Sequence, residues 1–253
     1  DISIHSGELT VNNNITSNNS GSDVLFNSSN ITLNAPITSS GTSTVTINSS
    51  GNVIDGINGS FVGKIISTNL LLTGNGNFNL DSTTNNVSII SAGSNASRLG
   101  SLNFTNSNAL VVGSVGSNSG IYTTETIAIS TLTGDLSVSQ NINTQNTSTT
   151  ALILNASQST AAGLSSGGDL KFSGGASITI GANARAKLYS GSISGSTGLT
   201  TITGSGSNRF RYNSDESNSN YSLSLGTGIH AIYRERPSLT IVADDKTVTY
   251  GTA

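Results

Sequence analysis

The chain repeats itself, and that repetition limits its folds more than any other feature. Residues 8–29, ELTVNNNITSNNSGSDVLFNSS, set above residues 30–50, NITLNAPITSSGTSTVTINSS, place Leu9 over Ile31, Val11 over Leu33 and Ile15 over Ile37, an offset of 22. Beyond the intervening loop the match resumes at an offset of 21, with Val24 over Val45 and Phe26 over Ile47. A third copy, DLSVSQNINTQNTSTTALILNAS, assigns Leu136, Val138, Ile142, Leu152 and Leu154 to the positions of Leu9, Val11, Ile15, Val24 and Phe26. A period near 20 residues marks a solenoid, whose units cannot bury their apolar faces alone and do so by stacking.

Within each unit apolar and polar residues alternate, as in Ile31-Thr32-Leu33 and Val45-Thr46-Ile47. That is the period of a half-buried strand. Two or three short strands per unit, separated by Asn, Ser and Gly turns, predict one coil, and coils stacked at roughly 4.8 Å bury a column of inward aliphatics. The expected fold class is all-β: a right-handed parallel β-helix of roughly 20-residue coils, its hand following the strand-crossover rule. About ten coils at that spacing predict a rod on the order of 50 Å long. Composition agrees: 46 Ser, 32 Thr and 31 Asn make up 109 of 253 residues, which suits turns and solvent faces of strands and leaves no window for a long helix. Disorder is disfavoured, because net charge is only −3 and Lys plus Arg number 10.

Register is harder to follow between about Gly51 and Ser130, which predicts variable loop lengths, although IISTNLLLTGNGNFNLDSTTNNVSII still reads strand, turn, strand, turn, strand. After Gly163 the texture becomes richer in Gly, with Phe172, Tyr189, Phe210 and Tyr212. This stretch is read as closing coils and a cap from about residue 164, since terminal repeats must cover an open core end. Charge divides the same way. Residues 1–150 carry seven acids against Lys64 and Arg98, whereas residues 151–253 carry eight bases against six acids. Cysteine is absent, which leaves the redox compartment open. Methionine is absent as well, and neither a signal peptide nor a long apolar run is visible, so the expectation is a processed or excised piece of something longer, with export signals, if any, outside it.

The coil units, typified by NITLNAPITSSGTSTVTINSSG, resemble filamentous-haemagglutinin-like exoproteins of Gram-negative two-partner secretion. The likeness covers most of the chain and lies in texture, not in a diagnostic motif. It implies the shaft of a secreted or cell-surface bacterial adhesin that mediates attachment, is exported through an outer-membrane transporter, and meets host or bacterial surface glycans or proteins. Self-association into filaments is a further expectation, and no nucleic-acid partner is expected. The family's amino-terminal secretion domain, with its Asn-Pro-Asn motifs, is not present: Pro36 and Pro237 are the two prolines, and neither follows Asn. The final segment, LTIVADDKTVTYGTA, is similar to the first strand of MBG-type β-sandwich repeats. The implied division is a β-helix shaft over 1–236 and the truncated start of such a repeat over 237–253.

The rival reading is a polysaccharide-binding or polysaccharide-cleaving module, because pectinases and related lyases use the same fold. Their chemistry needs clustered carboxylates, or a carboxylate and a base, within several Å. Asp23, Asp55, Asp81, Asp135 and Asp169 each stand alone in the sequence beside turn residues and read as turn residues. The pairs Asp215-Glu216 and Asp244-Asp245 come closer to a site, yet neighbours on a strand point to opposite faces. Asp215 and Glu216 are expected to offset Arg209, Arg211, Arg234 and Arg236; those arginines read either as a salt-bridged cap or as a polyanion-binding patch. His5 and His230 are too few and too far apart for a metal site or triad. GSGSNRF and GLTTITGSGS lack the Lys and following helix of a phosphate loop. Twelve Asn-x-Ser/Thr sequons match what this composition produces by chance. Thr42, Thr44 and Thr46 form a single Thr-x-Thr-x-Thr rung that neighbouring units do not repeat, so no ice-binding array is expected. Asn-rich, low-charge strands also suit cross-β fibres, but varied loops and a distinct cap favour one chain coiling on itself. No catalytic, cofactor-binding or metal residue is assigned, and the chain is read as non-enzymatic.

Overall fold

A computed structural model of the protein describes residues 1–244 and Gly251. Twenty-one of its strands form one continuous sheet that coils into a β-solenoid of about nine coils, each about 25 residues long. Among the described residues helix is confined to Leu199–Thr203 and a short 3₁₀ segment, Ser207–Arg209. Among the described residues no helix is long and apolar enough to cross a membrane.

The columns are read residue by residue from the parallel ladders. On one face, Ile2, Val24, Val45, Leu70, Ile90, Val112, Val138 and Phe172 stand in successive coils. On the next, Leu9, Ile31, Val53, Phe78, Leu102, Ile127, Leu152, Ala186 and Ile229 do the same, one residue for each of nine coils. The interior members of both columns are buried, and the terminal Ile2, Leu9 and Ile229 are half-buried. A third face carries Ile15, Ile37 and Ile65. Alternation puts one aliphatic of every two residues inside, so each coil completes the next one's core.

The 22- and 21-residue offsets are the true register: Leu9 pairs with Ile31, Ile15 with Ile37 and Val24 with Val45. Two expectations need correction. Coils average more than 20 residues because the corners carry insertions. Ile57–Asn58 and Phe61–Val62 form one outlying hairpin, Ser114–Val115 and Asn118–Ser119 another. The third repeat is also rotated by one face. Val138 stands in the column of Val24, and Leu152 in that of Leu9, the reverse of the sequence alignment. Every face bears the same apolar-x-apolar pattern, so pattern distinguishes inside from outside but not one face from another. Some strands are longer than foreseen: Ile2–Val11, Val24–Leu33 and Lys64–Thr73 each stay extended for ten residues around a corner.

Corners are held by inward polar side chains. Asn106, fully buried, accepts from the Val87 N–H at 2.8 Å and donates to the carbonyls of Val87, Asn108 and Ala109. Asn85 accepts from Ile65 N–H at 2.7 Å and donates to Leu80 and Thr105 carbonyls. Outside, amides stack in ladders such as Asn34 on Asn12 and Asn48 on Asn27. Where coils approach too closely for any side chain, Gly is required: a Cβ at Gly74, φ +91°, would lie 2.0 Å from the Ser49 carbonyl oxygen.

Past residue 164 strands continue through Leu170–Phe172, Arg185–Ser190 and Gly228–Tyr233. Leu199 joins the core and Ile202 packs on it, so the short helix covers the end of the column. Phe210 and Tyr212 stack on Tyr233 at 6.4 and 5.6 Å between ring centres. From Ser238 to Asp244 the chain has no strand, and Leu239, Ile241 and Val242 are exposed. Residues 245–250 and 252–253, where most of the expected β-sandwich strand falls, lie outside the described residues.

Candidate functional site

Most of the isolated carboxylates bind backbone of a neighbouring coil. Asp23 accepts from Thr44 N–H at 2.8 Å, Asp135 from Asp169 N–H at 2.9 Å, and Asp169 from Ser192 N–H at 2.6 Å. Asp135 also pairs with Lys171 at 2.5 Å. Burial alone would raise the Asp135 carboxyl, but Lys171 and the Asp169 N–H hold it below the usual range.

Asp55 and Asp81 depart from their sequence reading: they do not stand alone. Asn79 pairs with Ile54 in adjacent coils, which sets Asp81 one coil beyond Asp55. Asp55 itself takes an inward position, pairing with Leu33 in an otherwise aliphatic column. Its Oδ2 accepts from Ser82 N–H at 2.9 Å and from the Asn85 amide at 3.4 Å. Burial pushes the carboxyl up to about 6, and the Asp81 charge adds to this against the pull of those two donors. The two acids flank a surface cavity of about 290 Å³ with the Ile57–Val62 hairpin over it. A carboxyl raised by burial beside a second carboxyl group is one arrangement that general acid and base chemistry uses. The sequence signal was present but faint: Val53 and Asp55 share one parity, so Asp55 had to face inward.

No protein-family model matches this chain. Neither do curated proteins or solved structures.

At the far end the expected pairing of acids with arginines is only partly realised. Glu216 meets Arg234 at 3.3 Å, but Arg209 and Arg211 make no ion pair among the described residues. Asp215 turns the other way and accepts from Ala162, Ser217 and Asn218 N–H groups at 2.8, 2.7 and 2.5 Å. Against the upward push of burial, these donors hold its carboxyl below the ordinary value. Asp215 and Glu216 therefore serve separate networks. Arg236 is exposed, and Asp245, partner of Asp244 in the sequence pair, lies outside the described residues.

His5 lies on the first strand, bonded to Ser3 and Asn27, and His230 on the last, so the two do not meet. Among the described residues no three His, Cys, Asp or Glu approach closely enough to hold a metal ion. The Gly-rich stretches form the Leu199–Thr203 helix and the Ser207–Arg209 3₁₀ segment. Thr44 and Thr46 pair with Asn69, Leu25 and Leu71, so neither has a threonine as its ladder partner.

Proposed function

We propose that this chain is the shaft of a secreted bacterial surface adhesin, a non-catalytic spacer that mediates attachment by holding recognition elements away from the cell. The observation that carries this reading is the unbroken apolar column from Leu9 to Ile229, clothed in short polar side chains and amide ladders. Such a stack gives length and stiffness with little surface chemistry, which is what a spacer needs. Excising residues 24–44, one 21-residue unit between the paired Val24 and Val45, tests it. The parent bacterium should remain adherent with a rod shorter by roughly 4.8 Å, while removal of the whole chain should abolish attachment. Undiminished attachment after whole-chain removal would overturn the proposal.

A second reading, a polysaccharide-cleaving module, is favoured by one observation, the Asp55–Asp81 pair beside its cavity. Incubation with pectin, alginate, heparin and hyaluronan separates the two. A shaft releases no new reducing or unsaturated ends; release that Asp55→Asn or Asp81→Asn abolishes would establish the enzyme.

A further inference from the structure

The last coils carry a groove of about 590 Å³ whose lining includes Arg209, Arg211 and His230, with no carboxylate among the described residues around it. Arg211 is 7% exposed and His230 2%. Arg211 is anchored by its terminal nitrogens, which donate to the carbonyls of Asn208, Phe210 and Leu223, and its guanidinium lies 5.3 Å from the Tyr221 ring centre. Its Nε has no partner, and neither does His230 Nδ1. Arg209 donates from Nη1 to the Thr227 carbonyl at 2.8 Å. Two guanidinium groups are thus gathered at one groove with no counter-charge, beside two buried nitrogens left without partners. Uncompensated cations cost stability, and an anion bound in the groove relieves that cost through charge-assisted hydrogen bonds.

The rest of the lining narrows the anion. Ser224 and Thr227 offer hydroxyls, Asn208 an amide, and Leu223, 58% exposed, a flat apolar surface. Hydroxyls to bond, an apolar face to cover and a cation for a carboxylate together match an acidic sugar better than a compact inorganic ion. The groove is also open and holds more than one ring.

We propose that this groove binds a uronate-containing oligosaccharide, with its carboxylate at Arg209 and Arg211. The site goes beyond the spacer reading, because a spacer needs no ligand of its own.

Calorimetric titration with trigalacturonate, maltotriose and sodium sulfate tests it. Trigalacturonate should bind, and maltotriose, which lacks the carboxylates, should not. Arg209→Gln should weaken trigalacturonate about tenfold, the worth of one charge-assisted hydrogen bond. Lys64→Gln, the same charge change in the third coil and so far from the groove, should leave it unaltered. Ser224→Trp, which fills the groove mouth, should abolish binding and keeps the test available if the arginine variant misfolds. Four results would overturn the proposal: no heat with trigalacturonate at millimolar concentration, equal binding of maltotriose, equal weakening by Lys64→Gln, or retention by Ser224→Trp. Displacement by sulfate at the trisaccharide's own concentration would reassign the groove to a free anion.

Discussion

Arg234, the largest fully buried side chain, donates from Nη2 to Glu216 Oε2 at 3.3 Å while its Nη1 donates to the Ala156 carbonyl at 2.6 Å. Asn155 takes a further bond from the same guanidinium. A charge in the wall of a solenoid is stable only while its partners remain. Glu216 is partly solvated, so Glu216→Gln should cost about 1–2 kcal/mol, whereas Arg234→Ala, which opens a cavity and removes the donor to all three acceptors, should cost about 3 kcal/mol or more. Urea midpoints of the two variants measure the difference; equal losses would mean that the charge pair, and not the buried guanidinium, holds this end together.

Asp55 should make the protein less stable as pH rises. Its folded value of about 6 lies above the ordinary 3.8, so the fold favours the protonated form, and that preference is lost as pH climbs from about 4 through 6. Asp55→Asn keeps the acceptor and removes the ionisation. The variant should match the parent near pH 4 and exceed it by at most about 3 kcal/mol at pH 7. His230, held low by burial, works in the opposite direction over the same range but cancels in the difference between the two proteins. A gap that stays constant from pH 4 to pH 7 would show that Asp55 does not titrate this way.

The column through Val112, Val138 and Phe172 makes a contrast between neighbours. Val138 is fully buried, so Val138→Asp should cost several kcal/mol, on the order of the price of an unpaired buried carboxylate. Ser137 faces outward between Val111 and Lys171. Ser137→Asp should stay within about 0.5 kcal/mol of the parent. Denaturant melts decide, and comparable losses would mean that inside and outside are exchanged at this coil.

Asn106 supplies four hydrogen bonds to backbone at a buried corner. Asn106→Ala leaves the Val87 N–H and up to three carbonyls without it, and should cost about 2–4 kcal/mol. Amide exchange should quicken first at Val87. Unchanged exchange there would mean that the corner is held by strand pairing alone.

Much of this fold was legible from residues 8–50. There the apolar spacing, the paired loops and the parity of every strand are those of the ladders, because two consecutive coils differ by one residue of loop. Legibility failed where loops grew. Between Val138 and Phe172 one coil takes 34 residues, and nothing in Leu136-Ser137-Val138 tells which of several identical faces it occupies. The candidate sites were harder still. Asp55 and Asp81 meet only because a coil of about 25 residues brings them into neighbouring rungs, a distance the 22-residue repeat did not suggest. The arginines were legible as a salt-bridged cap or a polyanion-binding patch, but not which, because Asp215, written next to Glu216, turns away from the arginines it was expected to offset.

Parallel ladders that join coil to coil place their hydrogen bonds along the length of the rod. Tension applied between its ends therefore pulls directly on the bonds between neighbouring coils, and it can open them one coil at a time from a terminus. Each coil that peels away occupied roughly 4.8 Å of rod but releases about 25 residues, which extend to about 80 Å of free chain at ~3.3 Å per residue. Under load the rod would thus lengthen in steps and dissipate the pull.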